Sequence, residues 1–255
     1  MIILLYSLII LFPININGAI LTDPKRQWSF PIQYNVTIKK YENHIKEAID
    51  EIVNHTCLNF TRNDSLSLNS PGIVFRFNTS VGCSSEKIGP DIDNKTNFIN
   101  FNDYCISNKV FIQSLIFSAL GAYPEQTRLD REKYIYIYYT NIKRGTDLTL
   151  FNETNSSTTS DYDTYYDYAS VLQFYNLSFS ARGGYTMGTT HEYGDVYRKM
   201  LGQKSFVTFD NYKLINRHFC NQTCNGTRFG ACFSSGYPNP RKCEECLCPY
   251  PFEGK

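Results

Sequence analysis

The sequence has almost no net charge. Its 25 Lys and Arg against 24 Asp and Glu leave a formal +1 over 255 residues. That removes the electrostatic footprint that nucleic-acid or membrane-surface binding requires. Long apolar runs are as scarce. Met1 to Pro13 is uncharged and rich in Ile and Leu, but it is too short to cross a bilayer as a mature helix. With Asn17-Gly18 following, residues 1–18 read as a signal peptide cleaved near Gly18/Ala19. The chain is therefore expected to be secreted and to have no membrane span. Histidine is also sparse, at four residues: His44, His55, His191 and His218. His191-Glu192 opens an H-E-x-x-H pattern, yet Asp195 stands where its second histidine would be. The four read as surface or packing residues, with a relocated metal site as the weaker reading.

What is present points to an extracellular glycoprotein. Nine cysteines suit an oxidising compartment. Asn-x-Ser/Thr sequons stand at Asn35, Asn54, Asn59, Asn63, Asn78, Asn94, Asn152, Asn155, Asn176, Asn221 and Asn225, each marking a candidate surface glycan. The length suits one domain of about 200 residues plus a small module.

The chain is organised around Gln113 to Arg131. Val110 to Leu120 is apolar except for Gln113, Ser114 and Ser118, as in a buried helix. Ser114 and Ser118 share one face, and Gly121 is placed to end the helix in a left-handed turn. Before it, Pro31 to Ile38 alternates as a strand. Tyr41 to Asn54 carries Ile45, Ala48, Ile49, Ile52 and Val53 on one helical stripe. Ile73 to Phe77 and Asn97 to Asn102 are further strands. After it, Tyr134 to Ile142 reads as a strand and Leu148 to Asp163 as a polar loop. Lys25-Arg26 is either a dibasic cleavage site or, more simply, an exposed basic pair.

With Gly121 as anchor, this stretch resembles the zinc signature of the astacin metalloproteases, H-E-x-x-H-x-x-G-x-x-H-E-x-x-R-x-D-R. Gly121, Glu125, Arg128, Asp130 and Arg131 fall in place. The three zinc histidines are replaced by Ser114, Ser118 and Pro124, and the catalytic glutamate by Leu115. A neutral serine is a poor zinc ligand, proline offers no side-chain donor, and leucine cannot act as a base. The bland reading of the two serines is that each bonds back to a carbonyl one turn earlier. A second family signature, Y-D-Y-x-S-I-M-H-Y, resembles Tyr166 to Phe174. There Tyr166, Asp167, Tyr168 and Ser170 match. Leu172, Gln173 and Phe174 stand for the methionine, histidine and metal-side tyrosine. The two departures lie at independent sites.

The resemblance extends over about residues 28 to 220, through the Thr-Cys-Leu-Asn-Phe phrase at Cys57, the Cys83 hairpin, an edge strand at Asn97 to Asn102, and a terminal helix from Thr208 to Cys220. It implies disulfides Cys57–Cys220 and Cys83–Cys105. It also implies that Glu125 contacts the new amino terminus at Ala19, the alternative being an exposed Glu125 and a frayed Ala19. Residues 221–255 resemble the EGF-like module that follows astacin domains in nematode relatives, for which Cys224–Cys243 and Cys232–Cys246 are implied. Cys248 is left without a partner, and a sixth cysteine would lie beyond Lys255. A zinc ribbon at Cys243-x-x-Cys246 is the weaker alternative.

The expected fold is α+β, an astacin-like (metzincin) two-lobed domain at 19–220 with a cleft, followed by an incomplete disulfide-rich EGF-like module. The expected function is that of a secreted pseudoenzyme without zinc or other cofactor, binding an extracellular protein or peptide without cleaving it. The alternative is a working zinc metalloendopeptidase of the family.

Overall fold

The computed structural model describes residues 19–226 and 232–253. The signal-peptide reading of residues 1–18 lies outside them. The elements in chain order begin with β1 (Ile20–Leu21), β2 (Ile32–Val36), α1 (Glu42–His55), β3 (Phe60–Arg62), β4 (Ile73–Phe77), β5 (Ser84–Ser85), β6 (Asn97–Phe101) and α2 (Lys109–Leu120). They continue with β7 (Ile135–Ile137), β8 (Thr159–Ser160), β9 (Met187–Thr189), α3 (Gly194–Arg198), α4 (Phe209–Phe219), β10 (Tyr237–Asn239) and β11 (Lys242–Leu247).

A five-stranded sheet in the order β3-β2-β4-β6-β5 holds the core. Its first four strands run parallel and β5 runs antiparallel on β6. Helix α1 buries Ile45, Ala48, Ile49 and Ile52, one stripe at helical spacing, with Val53 only partly covered. Helix α2 is buried nearly all round, as its composition requires. The Asn108 side chain caps it by accepting from the Phe111 N–H at 3.0 Å. Gly121 ends it with φ of +120°, where a β-carbon would be strained. Trp28 crosses to this end of α2 and donates its indole N–H to the Ala119 carbonyl at 3.1 Å.

Three sequence expectations are corrected. Asn97 to Asn102 is not an edge strand. β6 is flanked by β4 on one side and β5 on the other, and Glu86 N donates to Phe98 O at 2.9 Å. The outer strand is therefore β5, a pair of residues too short to show an alternation in sequence. Tyr134 to Ile142 keeps strand geometry only over β7, because tight helical turns at Arg131–Lys133 and Tyr139–Asn141 interrupt it. Leu148 to Asp163 is more than a polar loop. It contributes a helical turn at Leu148–Phe151, the fully buried Phe151, and β8, which pairs with β1.

The second half of the main domain has its own small core of Ile135, Ile142, Phe151, Tyr166, Met187 and Leu201. Disulfides join Cys57 to Cys220, Cys83 to Cys105, Cys224 to Cys243 and Cys232 to Cys246, and Cys248 is free. The tail hairpin β10–β11 leans on the main domain through Arg241, which donates to the Val53 and Leu58 carbonyls at 3.0 Å. Tyr237 adds a second contact by accepting from Asn216 Nδ2 at 3.3 Å. Among the described residues no helix is long and apolar enough to cross a membrane.

Candidate functional site

Helix α2 brings Ser114, Leu115 and Ser118 to one wall of a cavity of about 340 Å³. Pro124 joins them from the turn after Gly121. Leu172, Gln173 and Phe174 close the opposite side. All the positions equivalent to the family's ligands, base, methionine and tyrosine thus meet around one space, although they come from two separate stretches. Lys204 also lines this cavity, a residue that no sequence pattern singles out. It is half-buried, its ammonium lies 5.7 Å from the Phe111 ring, and burial pushes its pKa down to about 8.

The hydroxyls here are partly spoken for. Ser114 Oγ donates to the Phe111 carbonyl at 2.7 Å, the back-bond typical of serine inside a helix. Leu172 is packed in the main core, and its carbonyl accepts from Glu125 N at 3.4 Å. Phe174 packs edge-on to Phe151 at 6.0 Å.

Behind the cavity lies a charged network. Arg128 is 1% exposed. It donates to both carboxylate oxygens of Asp130 at 2.9 and 3.1 Å. It also reaches the Thr164 hydroxyl and carbonyl at 3.2 and 3.0 Å. Glu125 and Asp161 flank it at 3.6 and 3.7 Å. Glu125 is 6% exposed and accepts the Asp167 N–H at 3.0 Å. Burial, opposed by the Arg128 charge, pushes its carboxyl up to about 7. Burial raises Asp167 as well. Arg131 donates to the Gln126 and Phe151 carbonyls, and Gln126 accepts from Phe174 N at 3.2 Å. The network therefore positions the far wall of the cavity.

Glu125 and Ala19 are both buried, but they are held by different partners: Glu125 by Asp167 N and Arg128, Ala19 by Ser160 and Tyr123. Ala19 is buried, its N–H donates to Ser160 O at 3.0 Å and its carbonyl accepts from Tyr123 N at 2.8 Å. Of the eleven sequons, Asn176 alone is buried, at 7%, and its carbonyl accepts from Thr186 N.

The zinc implied by the family resemblance does not fit the donors present. Ser114 and Ser118 offer neutral hydroxyls, the first already donating, and Pro124 offers none. Among the described residues no group of three or more His, Cys, Asp or Glu could hold a metal. The histidines are engaged in packing. His55 stacks on Tyr212 at 4.5 Å, His191 on Tyr193 at 5.4 Å, and His218 meets Tyr162 Oη at 3.0 Å. His44 packs edge-on to Tyr41.

Comparison with known proteins shows the family and the fold. The profile of the astacin peptidase family matches residues 20–220. Over 231 residues the chain is 32% identical to zinc metalloproteinase nas-34 of Caenorhabditis elegans, covering 90% of this chain and 37% of that protein. Over 235 residues it is 29% identical to zinc metalloproteinase dpy-31 of Haemonchus contortus, covering 91% and 40%. The chain thus spans less than half the length of these relatives. Among solved structures it is similar to high choriolytic enzyme 1, a hatching enzyme zinc-protease from Oryzias latipes. The TM-score is 0.61 at 24% identity, over 72% of this chain and 86% of that one. Myroilysin is similar with a TM-score of 0.52 at 15% identity, over 78% and 97%. These structural likenesses concern the fold.

Proposed function

The chain belongs to the astacin family of peptidases, and from that premise we propose that it is a secreted, catalytically inactive member that holds an extracellular protein or peptide without cutting it. One observation carries this reading. The cavity wall where the family places three zinc ligands and a base is made of Ser114, Leu115, Ser118 and Pro124. Those side chains supply neither a metal site nor a proton acceptor strong enough to activate water. The cavity corresponds to a cleft between two lobes of a domain at residues 19–220, with residues 1–18 as signal peptide and 221–255 as a partial EGF-like module. An extended peptide would pair along β5, the outer strand, by backbone hydrogen bonds that depend little on side chains. Cys83, just before β5, lines the same cavity.

The second reading, an active zinc metalloendopeptidase, draws on the family match and on the names of the relatives. Elemental analysis and a casein digest on secreted protein separate the two. No stoichiometric zinc and no cleavage are expected. About one zinc per chain with chelator-sensitive proteolysis would establish the second reading instead. The combined variant Ser114→His, Leu115→Glu, Ser118→His, Pro124→His is expected to regain zinc binding before it regains activity.

A further inference from the structure

The chain is nearly neutral as a whole, but its cations are not evenly spread. Two exposed turns between β7 and β9 lie side by side. Ile142 bridges Ser180, Lys143 N donates to the Phe179 carbonyl at 2.8 Å, and Ala181 N donates to the Asn141 carbonyl at 2.9 Å. This antiparallel contact sends Lys143 and Arg144 out at one end and Arg182 at the other, three strand steps or about 10 Å apart. All three are exposed. Residues 139–146 and 178–186 hold these three cations and no carboxylate. Among the described residues none of the three side chains forms an ion pair or a side-chain hydrogen bond. The acids next along the chain are turned elsewhere. Asp147 accepts from Thr149 N and Oγ1 at 3.0 and 2.7 Å, and Asp195 pairs with Arg198 at 2.8 Å.

Backbone donors add to the cations. Among the described residues the N–H groups of Arg144, Gly145, Gly183 and Gly184 have no backbone acceptor, and free N–H groups at a turn favour an anion. Unpaired cations in a row, with such donors beside them, are the complement of a polyanion. The compartment narrows which one. Four disulfides belong to an oxidising space, where nucleic acid and the anionic cytoplasmic leaflet are not met. The shape narrows it further. Two joined turns present a narrow row, whereas a stable protein contact needs a broad face of about 800 Å² on each partner. A linear sulfated sugar chain needs only the row.

We propose that the paired turns at Lys143, Arg144 and Arg182 bind a sulfated polysaccharide, whose sulfate oxyanions meet the ammonium, the two guanidinium groups and the free turn N–H groups. The row is separate from the cavity and does not depend on whether the cavity binds peptide or zinc.

The full secreted chain is passed over immobilised heparin at physiological ionic strength, with a sulfopropyl cation exchanger as the control for charge alone. Retention on heparin and passage through the exchanger are expected. Arg144→Gln and Arg182→Gln should each weaken heparin binding by about fivefold, the loss of one charge-assisted contact. The triple variant Lys143→Gln, Arg144→Gln, Arg182→Gln should pass through. The double variant Lys39→Gln, Lys40→Gln removes two exposed lysines elsewhere in the chain and should be retained as the wild type is. Circular dichroism checks that each variant is folded. Passage of the wild type through heparin overturns the proposal, as does retention of the triple variant. Equal retention on the exchanger, or an equal loss in the Lys39 and Lys40 variant, overturns it too, because binding would then follow charge and not the row. If the wild type ignores heparin while the same three residues hold anionic lipid vesicles or an acidic protein, the row serves a different anion and the proposal fails.

Discussion

Two adjoining regions of this chain behave oppositely. The cavity wall at Ser114, Leu115, Ser118 and Pro124 is neutral. The network behind it joins Arg128 to Asp130, Glu125 and Asp161 through buried charge. The wall departs from the family pattern at every chemical position, while the network matches it at Glu125, Arg128, Asp130 and Arg131. The physical difference is the cost of change. A metal ligand on a cavity wall faces open space, so a smaller or apolar side chain leaves no orphaned partner. A buried guanidinium with four hydrogen-bond acceptors cannot be removed without stranding carboxylates in a low-dielectric interior. The wall can therefore change at small cost while the network behind it must stay.

The largest effect should come from the network. Arg128→Met should cost about 3–5 kcal/mol, the range for breaking a buried ion pair from one side, measured by urea unfolding. A loss below about 1 kcal/mol would mean that the network behaves like a surface pair and would break the contrast.

The next effect is the pH dependence set by Glu125. Its folded pKa of about 7 lies above the ordinary 4.5, so the folded state disfavours the charged form. Its contribution is most favourable below pH 4.5 and is lost as pH rises toward 7, by roughly 3 kcal/mol in total. Asp167, raised by burial, acts in the same direction. Glu125→Gln should flatten the stability profile between about pH 4.5 and 8. A profile unchanged in slope would place the proton elsewhere.

The smallest effect belongs to the wall. Ser114→Ala removes one back-bond to Phe111, worth about 1 kcal/mol or less. Ser118→Ala should cost no more. Thermal melts should move by only a few degrees. A loss above about 2 kcal/mol at either position would show that the wall is structural and sharpen the comparison in the reverse direction.

Much of the scaffold was legible in sequence because it is local. The apolar run ending at Gly121, the stripe on α1 and the Arg-x-Asp-Arg spacing each follow from residues a few positions apart. The interior place of β6 was not legible, since pairing partners are set by topology and the covering strand β5 has two residues. The partners of Arg128 from Thr164 and Asp161, more than thirty positions away, left no signal either. Lys204 was missed for the same reason.

By itself the sequence determined which chemical groups exist at the family's ligand and base positions, because side-chain identity needs no fold to be read. It also determined where α2 must end, because a glycine and a proline constrain the backbone directly. Only the tertiary structure decided that Ser114, Pro124, Leu172 and Phe174 border one space. It alone paired β6 on both sides, buried Asn176 against Thr186, and set the Lys143 turn beside the Arg182 turn. Each of those facts depends on contacts between distant segments, whose closure is governed by packing and not by local preference.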